Sequence, residues 1–285
     1  MDSNIKELTA QLIDDGTVDN SHRFQEFLKD HPDERPAIFR FFVDECDDNL
    51  AELLCDDLTD AWYLYATSHL KSIVIPKGVT YLGECMFDNC AELADVTLPD
   101  TLTVIDKSAF SGCASLKNLT IPDNVYYIGV AAFRESGIAE IKLPASLTCL
   151  SARAFQSTPR LRYIEIPEGV DRIRSSTFLN SGLEKITLPR TLRRIDGNAF
   201  KDCANLKSID IPEGVEQFGV QAFADSGLQS IAIPQSLKLV HSAVFDGTDA
   251  KIQIKGLSKA EAKEWVLSNI SFVNDYRDDF IKRIV

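Results

Sequence analysis

Short runs of leucine, isoleucine and valine are set among polar residues over most of this chain, and they keep a fixed beat. From residue 70 the phrase apolar-x-x-apolar-x-apolar recurs as Leu70/Ile73/Ile75, Leu93/Val96/Leu98, Leu116/Leu119/Ile121 and Ile138/Ile141/Leu143. It continues as Leu161/Ile164/Ile166, Leu183/Ile186/Leu188, Leu206/Ile209/Ile211 and Leu228/Ile231/Ile233. A proline closes each phrase: Pro76, Pro99, Pro122, Pro144, Pro167, Pro189, Pro212 and Pro234. A phenylalanine follows each proline: Phe87, Phe110, Phe133, Phe155, Phe178, Phe200, Phe223 and Phe245. Both series step by 23, 23, 22, 23, 22, 23 and 22 residues. A constant period of roughly 20–29 residues with a short apolar strand predicts a solenoid of the leucine-rich type.

Side chains alternate faces along a strand, so the last two apolar residues of each phrase point inward and the residue between them points out. Proline lacks the N–H a ladder needs and presets φ, so it ends the strand and starts a turn. Turn-tolerant residues come two positions later: Gly78, Thr101, Asn124, Ser146, Gly169, Thr191, Gly214 and Ser236. A second β-favouring phrase follows, such as Val79–Leu82 or Val125–Ile128, with its apolar ends facing the core. The small-residue–Phe pair is then expected to form a short helical or 3₁₀ turn. After it the copies differ in length. Phe110 is followed by Ser-Gly-Cys-Ala-Ser-Leu116, but Phe133 by Arg-Glu-Ser-Gly-Ile138. Gly137, Gly182 and Gly227 of the short copies are expected to take positive φ and close a tighter loop, leaving strand register untouched.

The flanks follow another rhythm. Ile5/Leu8/Leu12, Phe24/Phe27/Leu28, Ile38/Phe39/Phe42/Val43 and Leu50/Leu53/Leu54/Leu58/Trp62/Leu64 have helical spacing. Past Phe245, Ile252 and Ile254 read as a ninth strand. Ser258-Lys-Ala-Glu261 reads as a capping box that opens a helix through Trp265 and Val266, and Tyr276, Phe280 and Ile284 suggest a second short helix. The expected organisation is an acidic helical cap over 1–69, a solenoid over 70–257 and a helical cap over 258–285. The expected fold class is α/β: a right-handed leucine-rich-repeat solenoid with a parallel β-sheet face.

The stretch Leu119-Thr-Ile-Pro-Asp-Asn-Val-Tyr-Tyr-Ile-Gly-Val-Ala-Ala-Phe133, with its counterpart over 209–223, resembles the BspA-like, or Treponema pallidum-type, leucine-rich repeat. The resemblance extends over residues 70–255. It implies a parallel β-solenoid, and in many members a surface protein of a bacterium or protist that binds host proteins or other cells.

Charge divides the chain. Of its 43 acidic and 30 basic side chains, residues 1–69 hold 17 and 5, leaving 26 and 25 for the remainder. The acidity of the first part opposes non-specific binding to nucleic acid or anionic membrane. No apolar run approaches the roughly 20 residues that cross a bilayer. The start, Met1-Asp-Ser-Asn-Ile-Lys-Glu-Leu, lacks the features of a secretory signal. Seven cysteines suit a reducing compartment better than a disulfide framework. The expected location is cytoplasmic, or the cell surface if an export signal is missing from this chain.

Candidate chemistry is sparse. Cys90, Cys113 and Cys203 occupy one slot, three residues after the phenylalanine, where other copies carry Ser136, Thr158, Ser181 and Ser226. This is a packing slot, although Cys90 and Cys113 are expected to stack in adjacent coils and could cross-link under oxidation. His22, His31, His69 and His241 share no spacing. The run Asp15–Ser21 with Glu26 departs from a calcium loop at Thr17 and Asn20 and reads as a helix–helix turn. No nucleophile elbow, phosphate loop, dinucleotide motif or zinc-ligand pair occurs. No catalytic residue, metal or cofactor is expected.

Two surfaces remain. The outward strand positions include Asp95, Thr97, Asn118, Thr120, Glu140, Thr187, Ser208 and Asp210, and Tyr163 is the large aromatic among them. Aromatic residues are favoured at binding hot spots, so Tyr163 with Lys142, Glu165 and Lys185 is the candidate contact centre; a plain polar sheet face is the competing reading. Arg153, Arg160, Arg162, Arg172, Arg174, Arg190, Arg193 and Arg194 fall in three consecutive coils. Arg172, Arg193 and Arg194 flank the turn after the proline and are expected to share an edge. They are either paired with nearby acids such as Asp171 and Glu184 or form a docking strip for an acidic partner, the N-terminal segment of another copy being one candidate. The reading is a non-enzymatic scaffold for a protein partner, binding neither nucleic acid nor membrane; the alternative is a surface adhesin for a host protein or glycan.

Overall fold

A computed structural model of the chain describes residues 70–285, apart from positions 76 and 275. The helices expected before residue 70, the Asp15 run and His22, His31, His69, Cys46 and Cys55 lie outside the described residues.

Each coil contributes two short strands. The first ladder comprises β1 (Ser72–Val74), β3 (Asp95–Thr97), β5 (Asn118–Thr120), β7 (Glu140–Lys142), β9 (Tyr163–Glu165), β11 (Lys185–Thr187), β13 (Ser208–Asp210), β15 (Ser230–Ile233) and β17 (Lys251–Ile254). The second comprises β2 (Tyr81–Leu82), β4 (Val104–Ile105), β6 (Tyr127–Ile128), β8 (Cys149–Leu150), β10 (Arg172–Ile173), β12 (Arg194–Ile195), β14 (Gln217–Phe218), β16 (Leu239–Val240) and β18 (Ser271–Phe272). Pairing is parallel throughout, as in Tyr163↔Lys185 and Arg172↔Arg194. Coils are numbered here from the one that carries β1 and β2. Inward residues of both ladders, such as Ile164, Ile166, Val170 and Ile173, are at most 2% exposed. Each strand-ending proline from Pro99 to Pro234 accepts a hydrogen bond at its carbonyl from the residue three further on, for example Leu192 N–H to Pro189 at 3.1 Å.

The phenylalanines form a column. Each is at most 1% exposed, and consecutive rings stack with centroids 5.3–5.8 Å apart and planes within 19°. The backbone around them is not helical. It is a chain of turns in which N–H groups alternate between two destinations. Met86, Asp88 and Cys90 donate back to Gly83, Cys85 and Phe87 in their own coil. Cys85, Phe87 and Asn89 donate to Lys107, Ala109 and Ser111 of the next coil at 2.7–2.8 Å. The alternation satisfies most of the buried donors on this edge. It requires left-handed residues two before and two after each phenylalanine. Fourteen of the fifteen non-glycine residues with positive φ stand there, among them Cys85, Ser108, Arg153, Gln221, Asn180 and Asp225. Gly112 and Gly247 fill the other two sites. The inter-coil triple recurs without a gap as far as Gln221, Phe223 and Asp225, which donate to Ser242, Val244 and Asp246.

The strand face is built differently. First-ladder pairing joins β1–β3, β5–β7, β9–β11 and β13–β15–β17, but does not join β3 to β5, β7 to β9 or β11 to β13. Coils 1–6 therefore come in twos, and coils 7–9 form a three. Within a pair a hydroxyl staples the turn: Thr101, Ser146 and Ser236 donate to the carbonyls of Val79, Val125 and Val215 at 2.8, 2.6 and 2.8 Å. Pro99, Pro144, Pro189 and Pro234 of the even coils are buried, while Pro122, Pro167 and Pro212 are half-buried. The unpaired steps are the 23-residue ones that follow a long turn; β1–β3, also 23 residues, pairs nonetheless. The apolar register persists through every coil, so the length change leaves the inward columns intact but not the hydrogen-bonded ladder.

The glycines of the short turns are explained otherwise than the sequence suggested. Gly137, Gly182 and Gly227 are not left-handed. A Cβ on them would stand 2.1, 2.2 and 2.1 Å from the carbonyl oxygens of Ala114, Pro159 and Ala204 in the preceding turn. Only glycine permits that close approach.

At its far end the array meets a substitute coil. Helices α1 (Lys259–Asn269) and α2 (Arg277–Lys282) carry it. The Glu261 carboxylate accepts the Ser258 N–H at 2.9 Å at the start of α1. Strand β18 pairs with β16, and Ile284 bridges to Ile252. Phe280 continues the ring column 6.1 Å from Phe245. The Tyr276 hydroxyl oxygen accepts the Phe245 N–H at 2.9 Å, replacing the carbonyl that another coil would offer.

Candidate functional site

The strand face presents two columns of outward side chains. Tyr163, the first residue of β9, is 46% exposed. Its hydroxyl lies 3.3 Å from Thr187 Oγ1 and 3.4 Å from Glu165 Oε2. Lys185, its register partner on β11, holds Nζ 5.9 Å from the ring centroid, within cation–π range. Tyr163, Glu165, Lys185 and Thr187 thus form one group on a hydrogen-bonded strand pair. Lys142 is exposed on β7 across an unpaired step, and no hydrogen bond or ion pair ties it to that group among the described residues.

Beside the group lies a groove of about 560 Å³, lined by Lys185, Thr187, Arg190, Asp210, Glu213 and Lys255, with Ile186 and Leu188 beneath. It follows the unpaired step between β11 and β13. Lys255 reaches over coil 8, where Ala232 is small, to Asp210 Oδ1 at 2.8 Å and the Ile211 carbonyl at 2.7 Å. Sequence reasoning missed this groove. Its signals, the unpaired step and a lysine two coils from its partner, are visible only once the coils are stacked.

Arg172, Arg193 and Arg194 lie on the second ladder, separated from Tyr163 by the proline turn, so the candidate residues divide between two surfaces. Arg172 Nε bonds Asp196, which is largely buried. Arg194 stands next to Arg172 in register and is exposed. Arg193 Nη1 donates to the Leu192 carbonyl at 3.3 Å. Arg162 pairs with Glu184 Oε1 at 3.6 Å.

The thiol slot is structural. Thr158, Ser226 and Thr248 donate to the phenylalanine carbonyl of their own coil at 2.8, 2.7 and 2.9 Å. Cys113 and Cys203 reach the phenylalanine carbonyl of the coil before at 3.1 and 3.0 Å. Burial pushes the Cys90 thiol up to about 12 and the Cys203 thiol up to about 11, so both stay protonated and unreactive at neutral pH. His241 Nε2 lies 3.1 Å from Gln217 Nε2. Among the described residues no three His, Cys, Asp or Glu side chains converge on a metal position, and no helix is long and apolar enough to cross a membrane.

Repeated coils with inward aliphatic columns and a phenylalanine column define the architecture, and the family model for the BspA type leucine rich repeat region matches residues 61–183 and 171–262 in six copies. The chain belongs to the BspA-type leucine-rich repeat family. Among solved structures it is similar to a leucine-rich repeat protein from Bacteroides ovatus, with 28% identity and a TM-score of 0.61 over 75% of this chain and 54% of that one. It also resembles a leucine rich cell surface protein from Faecalibacterium prausnitzii, with 28% identity and a TM-score of 0.45 over 70% and 63% of the two chains. A T. pallidum leucine rich repeat protein matches at 26% identity with a TM-score of 0.38, over 53% and 60%. This BspA-type chain thus spans less than two thirds of the length of each of these relatives. No curated protein matches it.

Proposed function

We propose that this chain is a non-enzymatic scaffold that binds a protein partner on the strand face of coils 5–7. The observation that carries the reading is Tyr163, a half-exposed aromatic held by Lys185 and Thr187 beside a polar groove. A ring fixed in this way loses little side-chain entropy on docking, which is how aromatic anchors concentrate affinity. The groove adds cations and acids in alternation, suited to a mixed polar peptide surface rather than to nucleic acid. The reading needs no export; an adhesin at the cell surface is the competing outcome, and fractionation of the source organism separates the two.

The test is a comparative pull-down. The intact chain and a Tyr163→Ala/Lys185→Glu variant are used as baits against the source lysate, with bound proteins quantified by mass spectrometry. A specific partner is retained by the first and drops at least about thirtyfold with the second, the scale of a hot-spot loss. Equal capture by both baits removes the strand face from the binding role.

A further inference from the structure

On the strand face the outward charges sort by coil. They stand on the strand itself and on the residue after the proline. Coil 5 offers Glu165 and Glu168, coil 6 Lys185 and Arg190, and coil 7 Asp210 and Glu213, all exposed. Coil 8 offers Ser230, Ala232 and Gln235, without charge. The stripes therefore run acid, base, acid, neutral. Arg162 and Lys207, one residue ahead of their strands, are turned to Glu184 and to the Ala204 carbonyl and take no part. The basic and acidic stripes of coils 6 and 7 border the unpaired step between β11 and β13, yet no ion pair joins them among the described residues. Lys185 rests against the Tyr163 ring, Asp210 is held from coil 9 by Lys255, and Arg190 and Glu213 have no hydrogen bond or ion pair among the described residues.

This pattern is its own complement under a two-fold rotation. An axis normal to the sheet, passing between Thr187 and Asp210, exchanges coil 6 with coil 7 and reverses the strand direction. Lys185 of one copy then stands over Glu213 of the other, and Glu213 over Lys185. Thr187 stands over Asp210, hydroxyl to carboxylate, and Arg190 over Ser208. The same rotation lays coil 5 on coil 8, so that Glu165 meets Ala232, Glu168 meets Ser230 and the Tyr163 ring meets Gln235. No like charges are brought together. We propose that the strand face of coils 5–8 binds the same face of a second copy of this chain, as an isologous two-fold dimer. The proposal rests on the reading of the strand face as a protein-binding surface, and names its occupant. The patch spans about 14 Å across the coils and about 17 Å along the strands. That is small for a specific interface, so the dimer is reversible and forms with rising concentration.

Sedimentation velocity of the purified full chain tests this, with two exposed charge reversals. The unaltered chain passes from monomer to dimer between about 2 and about 200 µM, the range of weak, small interfaces. Lys185→Glu sets carboxylate against carboxylate at both ends of the interface, and Glu213→Lys sets ammonium against ammonium. Each alone raises the dimer dissociation constant at least about tenfold. Mixed in equal amounts, the two variants form a dimer again, to within about threefold of the unaltered chain, because each contact then joins a carboxylate to an ammonium. Equal thermal midpoints for the three proteins report an intact array. A chain that stays monomeric at about 200 µM, a dimer indifferent to both substitutions, or variants that remain monomeric when mixed overturns the proposal. The pull-down is read separately: a foreign protein lost with the Tyr163→Ala/Lys185→Glu bait keeps the strand face as a binding surface even where the contact between copies fails.

Discussion

The two long sides of this solenoid are held by different means. On the phenylalanine edge three N–H groups per coil cross to the next coil without interruption from coil 1 to coil 8, and the rings above them stack from Phe87 to Phe245, with Phe280 tilted against the last. On the strand face the ladder lapses at three steps, leaving coils joined in twos and, at the far end, a three, with a threonine or serine staple between coils. Cohesion thus resides on the buried edge. The strand face is left free to vary its outward residues and to open a groove where the ladder lapses, which is where Lys185 and Thr187 meet Asp210 and Glu213.

The contrast can be broken most severely at the ring column. Phe155→Ala removes a fully buried ring between two stacked neighbours and should cost about 3–5 kcal/mol in chemical denaturation. Next in size is Gly182→Ala. Its Cβ would collide with the Pro159 carbonyl oxygen, a rigid backbone atom, and should cost about 2–3 kcal/mol by the same measurement. Tyr276→Phe keeps the ring but strips the acceptor from the Phe245 N–H, and a buried donor left unpaired should lower stability by about 1–2 kcal/mol. At the small end, Tyr163→Ala on the strand face should shift the midpoint by no more than about 0.5 kcal/mol, because exposed positions contribute little. A large loss there would mean that the strand face is as structural as the edge.

Much of this was legible from residue spacing. The proline and phenylalanine series place every inward column, and the capping box at Ser258 and the ring at Phe280 mark the terminal cap. The chained turns were not legible, because left-handed backbone is usually announced by glycine. Here Cys85, Ser108, Arg153 and Gln221 occupy it, held by hydrogen bonds from neighbouring coils rather than by intrinsic preference. The two-coil unit was present in the alternation of 22 and 23 residues, but its consequence for pairing depends on how successive coils stack. The Tyr163 group was half legible. Glu165 and Lys185 join it as neighbours on the same strand pair, whereas Lys142 lies across an unpaired step and the arginines on another face. Register across a lapse in the ladder, and the reach of Lys255 over Ala232, are properties of the stack and not of any one repeat.

Native-state hydrogen exchange, read residue by residue, weighs the two sides against each other directly. If the phenylalanine edge holds the coils together, the amides of Phe110, Phe155 and Phe200 exchange only through global unfolding. On the strand face, Glu140 and Lys185, which donate to the Lys117 and Arg162 carbonyls at 3.3 and 3.1 Å, should be slower than Asn118, Tyr163 and Ser208 at the unpaired steps. Uniform protection across the strand face, or faster exchange at the phenylalanines than at the strands, would contradict it.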